Sequence, residues 1–314
     1  MDAGFPDRVA AAVEARRSQI VLGLDPDPAA LWPEAMAFKG AGAEPAWRLL
    51  ADEGALGDAG PVAAAVTLHC RAVIDAAGGA CAAVKFQLAC FERLGAAGWA
   101  SLAELVAYAG EHGLITIGDG KRGDVPVTAR AYAQAFFAAP DAVADPLGVD
   151  AVTASPLLGR DALAPLVDAA VAAGGGCFVL VRTSNPGAAE IQDAPAPDRP
   201  LHERFATIVD ELGAASVGDR GLSAVGAVTG ATEPQLLARL RELMPRAIFL
   251  LPGVGAQGGA VADLAPAFDP GPAAGLVAAS RSIVNAHADR GGDPAAAAAA
   301  AAEELRDAAW RLSH

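Results

Sequence analysis

Residues 114–128 read LITIGDGKRGDVPVT, an apolar run that breaks into charge and glycine and then meets Pro126. The segment 114–118 is too short for a helix and is apolar on both faces, as a parallel strand is. Asp119 and Lys121 stand two apart, so in extended chain their side chains share a face. Gly120 and Gly123 loosen the turn toward Asp124. Working outward, similar aliphatic runs occupy 19–24, 82–86, 151–154, 177–181, 223–228, 247–251 and 275–278. Each leads through Gly, Pro or polar residues into a stretch that can hold a crossover helix. Eight βα units in one chain fit an α/β fold of the (β/α)8 TIM barrel type, a single domain, better than two open sheets. A doubly wound fold is the alternative on pattern alone.

The length of 314 residues allows one large barrel or about two domains of ~150 residues. The surplus falls in identifiable places. Residues 27–62 interrupt the first unit with Pro and Gly and read as an insertion after the first strand. Residues 186–200 form a Pro-punctuated loop after the fifth. Residues 293–314 read as a C-terminal helix, with Asp293 as N-cap and Pro294 at its first position. The start, MDAGFPDRVAAAVEARRSQI, reads as an amphipathic helix rather than a secretory leader, and no clean run of ~18 apolar residues predicts a membrane span.

A formal charge of −14 argues against a nucleic-acid polymer as partner, so any anionic ligand must meet a local cluster of positive charge. Hydrophobic residues at 53% against 19% charged exclude a disordered chain. Cys70, Cys81, Cys90 and Cys177 lack CxxC or even spacing and read as reduced structural thiols, which places the protein in the cytoplasm.

In a barrel the chemistry sits at the C-terminal ends of the strands. There the chain places Asp25 after the first strand, Lys85 in the second, Asp119, Lys121 and Asp124 after the third, and Thr183-Ser184-Asn185 after the fifth. Pro252 to Gly259 (PGVGAQGG) follow the seventh, and Ser280-Arg281-Ser282 the eighth. Alone, DGKRGD could be a solvated mixed-charge loop, and PGVGAQGG a flexible turn. Lys85 changes the balance, because a lysine within the apolar run AAVKF loses hydration unless it finds a carboxylate or a function. A glycine turn followed by Arg281 beyond the next strand is where barrels hold phosphate.

Together, GLDP at Asp25, VKFQ at Lys85, DGKRGDVPVT from Asp119 to Thr128, TSNPG from Thr183, PGVGAQGG from Pro252 and SRSI from Ser280 resemble the ordered motifs of orotidine 5'-phosphate decarboxylase. The similarity runs from the first strand to the eighth. The length, the insertion and the TASP and TSNPG segments look most like the longer bacterial subgroup (type 2). Phe86 stands where that subgroup usually has proline, and Ala279-Ser280-Arg281 where shorter relatives have Gly-Arg.

The resemblance implies loss of CO2 from orotidine 5'-monophosphate to give uridine 5'-monophosphate, with no metal and no organic cofactor. Lys121, flanked by Asp119 and Asp124, would stabilise and protonate the ring carbanion. Asp119 would crowd the substrate carboxylate, and Lys85 would balance the aspartates and bond the ribose. By the same resemblance Asp25 would hold a ribose hydroxyl, Ser184 the pyrimidine edge, and Gln257 with Arg281 the phosphate. Asp124 and Thr128 would enter the neighbouring subunit's pocket, making a homodimer with shared sites, and residues 257–263 would form a lid. Two other readings are a magnesium-dependent phosphosugar decarboxylase or synthase of the same barrel type, which would need an acid such as Glu92 as metal ligand, and a non-catalytic nucleotide-binding barrel.

Overall fold

The apolar runs pair side by side because each leaves its backbone groups to be satisfied by a neighbour, and eight such neighbours close a ring. The computed structural model describes residues 3–36, 59–138, 144–255 and 258–314. Its strands are β1 (Ile20–Leu24), β2 (Ala83–Gln87), β3 (Ile115–Arg122), β4 (Ala151–Ala154), β5 (Gly176–Arg182), β6 (Ser223–Thr229), β7 (Ala247–Leu251) and β8 (Gly275–Ala279). They form a closed barrel in sequence order, with β8 parallel to β1. All eight anticipated strands are present. β3 extends four residues past the expected Gly118 and carries Asp119 and Lys121 within its length.

The helices used below are α1 (Phe5–Arg16), α2 (Ala59–Ala77), α3 (Gly95–Glu111), α4 (Pro126–Phe136), α5 (Arg160–Ala172), α6 (Leu201–Gly213), α7 (Leu237–Leu243) and α8 (Pro294–Leu312). The outward residues of the strands, among them Leu22, Val84, Phe86, Val152, Val179 and Phe249, pack with the helices in one continuous core. The inward residues form a second core of Val21, Ala83, Ile117, Phe178, Ile248 and Leu276. This inner layer is tight enough to dictate glycine. A Cβ on Gly226 would lie 2.6 Å from the Phe178 ring.

The N-terminal helix plugs the bottom of the barrel. Phe5, Val9 and Val13 of α1 join the inner core, and Phe5 meets Phe178 edge to face at 6.0 Å between centroids. Gly176 makes room for it, since a Cβ there would come within 2.3 Å of the Phe5 ring. Arg8 ties the plug down through Asp150, whose other oxygen accepts from the Thr116 amide at 2.8 Å. At the other terminus Asp293 caps α8 by accepting from the Ala296 amide at 2.8 Å, with Pro294 at the first position as expected.

Residues 27–36 turn back onto the barrel, where the Trp32 indole donates to the Val284 carbonyl at 3.0 Å. Residues 37–58, the middle of the anticipated insertion, lie outside the described residues. Cys70, Cys81 and Cys177 are buried free thiols and Cys90 is half-buried. Among the described residues no helix is long and apolar enough to cross a membrane.

Candidate active site

The alternation that fills the barrel with apolar side chains continues upward and changes character at the C-terminal rim. A cavity of about 450 Å³ opens there on a floor of Leu180, Val228, Leu250 and Ala278. Its walls include Asp25, Lys85, Asp119, Lys121, Ser184 and Arg281. Six of the sequence-predicted residues, from five strand ends far apart in the chain, therefore converge on one space.

Asp119 is the hub. Its Oδ2 accepts from Lys85 Nζ and its Oδ1 from Lys121 Nζ, both at 2.7 Å. Lys85 Nζ also stands 3.9 Å from Asp25 Oδ1. The Lys85 and Asp119 side chains are each 8% exposed, whereas Lys121 is 44% exposed and faces the open cavity. Burial alone would discharge Lys85, but the Asp119 and Asp25 carboxylates outweigh it and its pKa lies above the ordinary lysine value. Burial likewise opposes the Asp119 carboxylate, and the two ammoniums reverse that, holding it well below the usual carboxylate range. The buried pair is thus fully charged near neutrality.

Around this hub stand residues that motif reading did not single out. Gln87 donates through Nε2 to the Asp119 carbonyl at 3.2 Å, and Thr153 of β4 donates to Asp119 Oδ1 at 2.8 Å. Gln192 accepts from the Thr183 amide at 2.7 Å and holds the TSNPG turn beside the cavity. Beneath that turn the buried Arg182 bonds Asp193 at 2.8 Å and the Thr183 carbonyl at 2.7 Å. For Thr153 and Gln87 a signal existed: strand parity puts both on the inward face. Nothing local marked Gln192.

The two departures from the motif pattern have structural partners. Phe86 points outward, is fully buried, and packs against Phe91 at 6.2 Å between centroids. Ser280 points toward β1, where a Cβ on Gly23 would fall 1.8 Å from its hydroxyl. Gly23 thus makes room for Ser280. In the glycine turn, Gly253, Gly255 and Gly258 have φ of 100°, 75° and 91°, conformations that exclude most side chains. Gln257 lies outside the described residues. Of the segment expected to act as a lid, Val261–Asp263 forms a single 3-10 turn in which Val261 packs on the outer core.

Asp124 and Thr128 are not among the residues lining this cavity. Asp124 instead accepts from the Val125 amide at 2.7 Å, and Thr128 sits half-buried in the first turns of α4. The pocket of one chain therefore holds Asp25 and Asp119 as its carboxylates, with Lys85 and Lys121, and not Asp124, although Asp124 lies only three residues beyond Lys121. The chain turns away after Arg122, carrying Asp124 out of the barrel mouth.

A parallel eight-stranded barrel with alternating carboxylates and ammoniums at its C-terminal mouth, rimmed by an arginine and a glycine turn, defines an enzyme-type site for a small anionic substrate. The chain belongs to the orotidine 5'-phosphate decarboxylase / HUMPS family, whose model matches residues 20–301. It is 46% identical over 226 residues to an orotidine 5'-phosphate decarboxylase of Rhodopirellula baltica, covering 72% of this chain and 75% of the relative. Another, from Roseiflexus sp. strain RS-1, is 36% identical and aligns over 97% of this chain and 96% of its own. Among solved structures, the Leishmania donovani OMP decarboxylase superposes with a TM-score of 0.70 at 30% identity, covering 98% of this chain and 99% of that one. The chain spans 57% of the length of the Leishmania donovani UMP synthase, with the same TM-score at 31% identity.

Proposed function

We infer that this protein decarboxylates orotidine 5'-monophosphate to uridine 5'-monophosphate and CO2, the last step of UMP synthesis, using only its own side chains. The observation that carries this reading is the Lys85–Asp119–Lys121 relay, with the central carboxylate gripped by both ammoniums and Lys121 at the open cavity. In the reaction the bond from ring carbon to carboxylate breaks and its electron pair stays on the ring. CO2 departs and Lys121 Nζ delivers the proton, to be recharged from solvent. Fixed positive charge beside the developing carbanion lowers the barrier without reorganisation, which is the main lever available where no electron sink exists. Asp119 opposes the substrate carboxylate in the ground state and loses that opposition as neutral CO2 leaves.

Asp25 and Lys85 would hold the ribose, Ser184 the pyrimidine edge, and Arg281 with Gln257 the phosphate, for which a guanidinium fork is suited. Closure of residues 257–263 over the phosphate would use its binding energy at a distance from the reacting carbon. Asp124 and Thr128 are assigned to the pocket of a second copy of the chain. They flank Val125 and Val127, 55% and 72% exposed, and Leu157 and Leu158 on the loop after β4 are 68% and 52% exposed. Such apolar side chains fit an isologous homodimer. The unpaired thiols fit the reducing cytoplasm.

The magnesium-dependent alternative needs an acid near the end of β2, and Glu92 is instead held by the Arg122 guanidinium. The test is to incubate the protein with orotidine 5'-monophosphate and a chelator and follow the orotate chromophore. Turnover indifferent to chelator is expected. Turnover abolished by chelator supports the metal-dependent reading, and nucleotide binding without turnover supports a non-catalytic barrel.

A further inference from the structure

β3 does not pair evenly with β4. Ile117 and Gly118 stand opposite Ala151 and Val152, then the register shifts and pairing resumes only at Arg122 opposite Ala154. The irregular stretch contains Asp119 and Lys121. A bulge of this kind re-aims side chains but leaves backbone groups without their ladder partners. Lys121 has φ of 48°, in the left-handed region that residues with a Cβ avoid. Its amide has turned away from the β4 backbone and donates instead to Thr153 Oγ1 at 2.8 Å. The same hydroxyl donates to Asp119 Oδ1 at 2.8 Å.

The geometry points to Thr153 as a positioning residue for the decarboxylation, its one hydroxyl holding the Lys121 backbone and the Asp119 carboxylate in register. The proton arrangement is forced. A backbone amide can only donate, an ionised carboxylate can only accept, and a hydroxyl between them must do one of each. Thr153 is 1% exposed, so water does not substitute freely. With Lys121 Nζ on the same Asp119 oxygen, the hydroxyl closes a ring through the lysine's own backbone. Lys121 is thereby fixed at its amide by Thr153 and at its ammonium by Asp119.

This inference rests on the decarboxylase reading, so wild-type turnover is measured first; its absence overturns that reading. Thr153→Val keeps the shape and removes the hydroxyl. Its kcat should fall on the order of 10²-fold, as a misplaced catalytic pair does, while KM, set largely by phosphate and ribose contacts, stays within about threefold. Thr153→Ser keeps the hydroxyl and should restore kcat to within about tenfold of wild type. If the valine variant does not fold, Thr153→Ala is read in its place and must still lose kcat. A folded valine or alanine variant with kcat within about twofold of wild type overturns the proposal. So does a serine variant as impaired as the valine one, because the hydroxyl is then not what matters.

Discussion

Asp119 shows how one buried carboxylate can be both charged and fixed. Lys85, Lys121 and Thr153 occupy its two oxygens. Its pKa is depressed in the folded protein, so it adds stability that is present above the ordinary aspartate value of about 3.9 and fades as pH falls through the lower, folded value. Lys85 is shifted upward, so its contribution is complete below the ordinary lysine value of about 10.4 and is lost only above it. Between those limits the network should contribute a flat stability. Chemical denaturation of wild type and Asp119→Asn across pH tests this. The difference in unfolding free energy should stay level from about pH 5 to 7 and shrink below about pH 4. A difference that grows on acidification contradicts the assignment of an ionised Asp119. At this scale the sequence was informative: Lys85 within an apolar run announced a partner, and Asp119–Lys121 spacing announced a shared face.

Among the elements, strands were legible because parallel strands buried on both faces must be apolar. β3 was underestimated for the complementary reason: its last residues line a polar mouth, where hydrophobicity no longer marks extended chain. Its bulge against β4 leaves no local signature, being a property of two strands together. Arg241 of α7 was also invisible. It is 6% exposed and donates to the carbonyls of Met244, Ala247, Ala267 and Ala274 at 2.7 to 3.1 Å, with its guanidinium 3.8 Å from the Phe249 ring centroid. Burial lowers its pKa to about 10, yet it remains a cation at neutral pH. One side chain thus gathers the start of β7 and the 3-10 turns before β8. Arg241→Met, which keeps the apolar stem and orphans the carbonyls, should destabilise the protein by about 3 kcal/mol, read from denaturant midpoints with m unchanged. A shift under about 0.5 kcal/mol would show that these carbonyls find other partners.

Among the described residues, the barrel is plugged from below by α1 and carries its polar cavity at the opposite, C-terminal end of the strands, where barrels of this kind place their chemistry. The proposed shared site belongs to this scale, since Asp124 lies outside the cavity of its own chain. Lys121→Ala alone should lose at least ~10³-fold in turnover with the fold intact, because it removes the fixed charge at the cavity and the proposed proton donor. Asp124→Ala should also be impaired. When the two are unfolded together and refolded, each mixed dimer holds one complete site, and random pairing should return about a quarter of wild-type activity. No recovery despite mixed dimers would sink the shared-site assignment.

Sequence by itself determined the eight strands, the terminal helices, the charged strand ends and the family they resemble, because these follow from local periodicity and from side chains whose burial demands a partner. The net charge of −14 argues against a polyanion as partner yet leaves a single anion admissible. Only the tertiary structure decided which carboxylates share a cavity with Lys85 and Lys121, that α1 fills the barrel floor, and that Thr153 stands between Lys121 and Asp119. Those are relations between strands far apart in the chain, fixed by barrel closure and register, and closure is a property of all eight strands together.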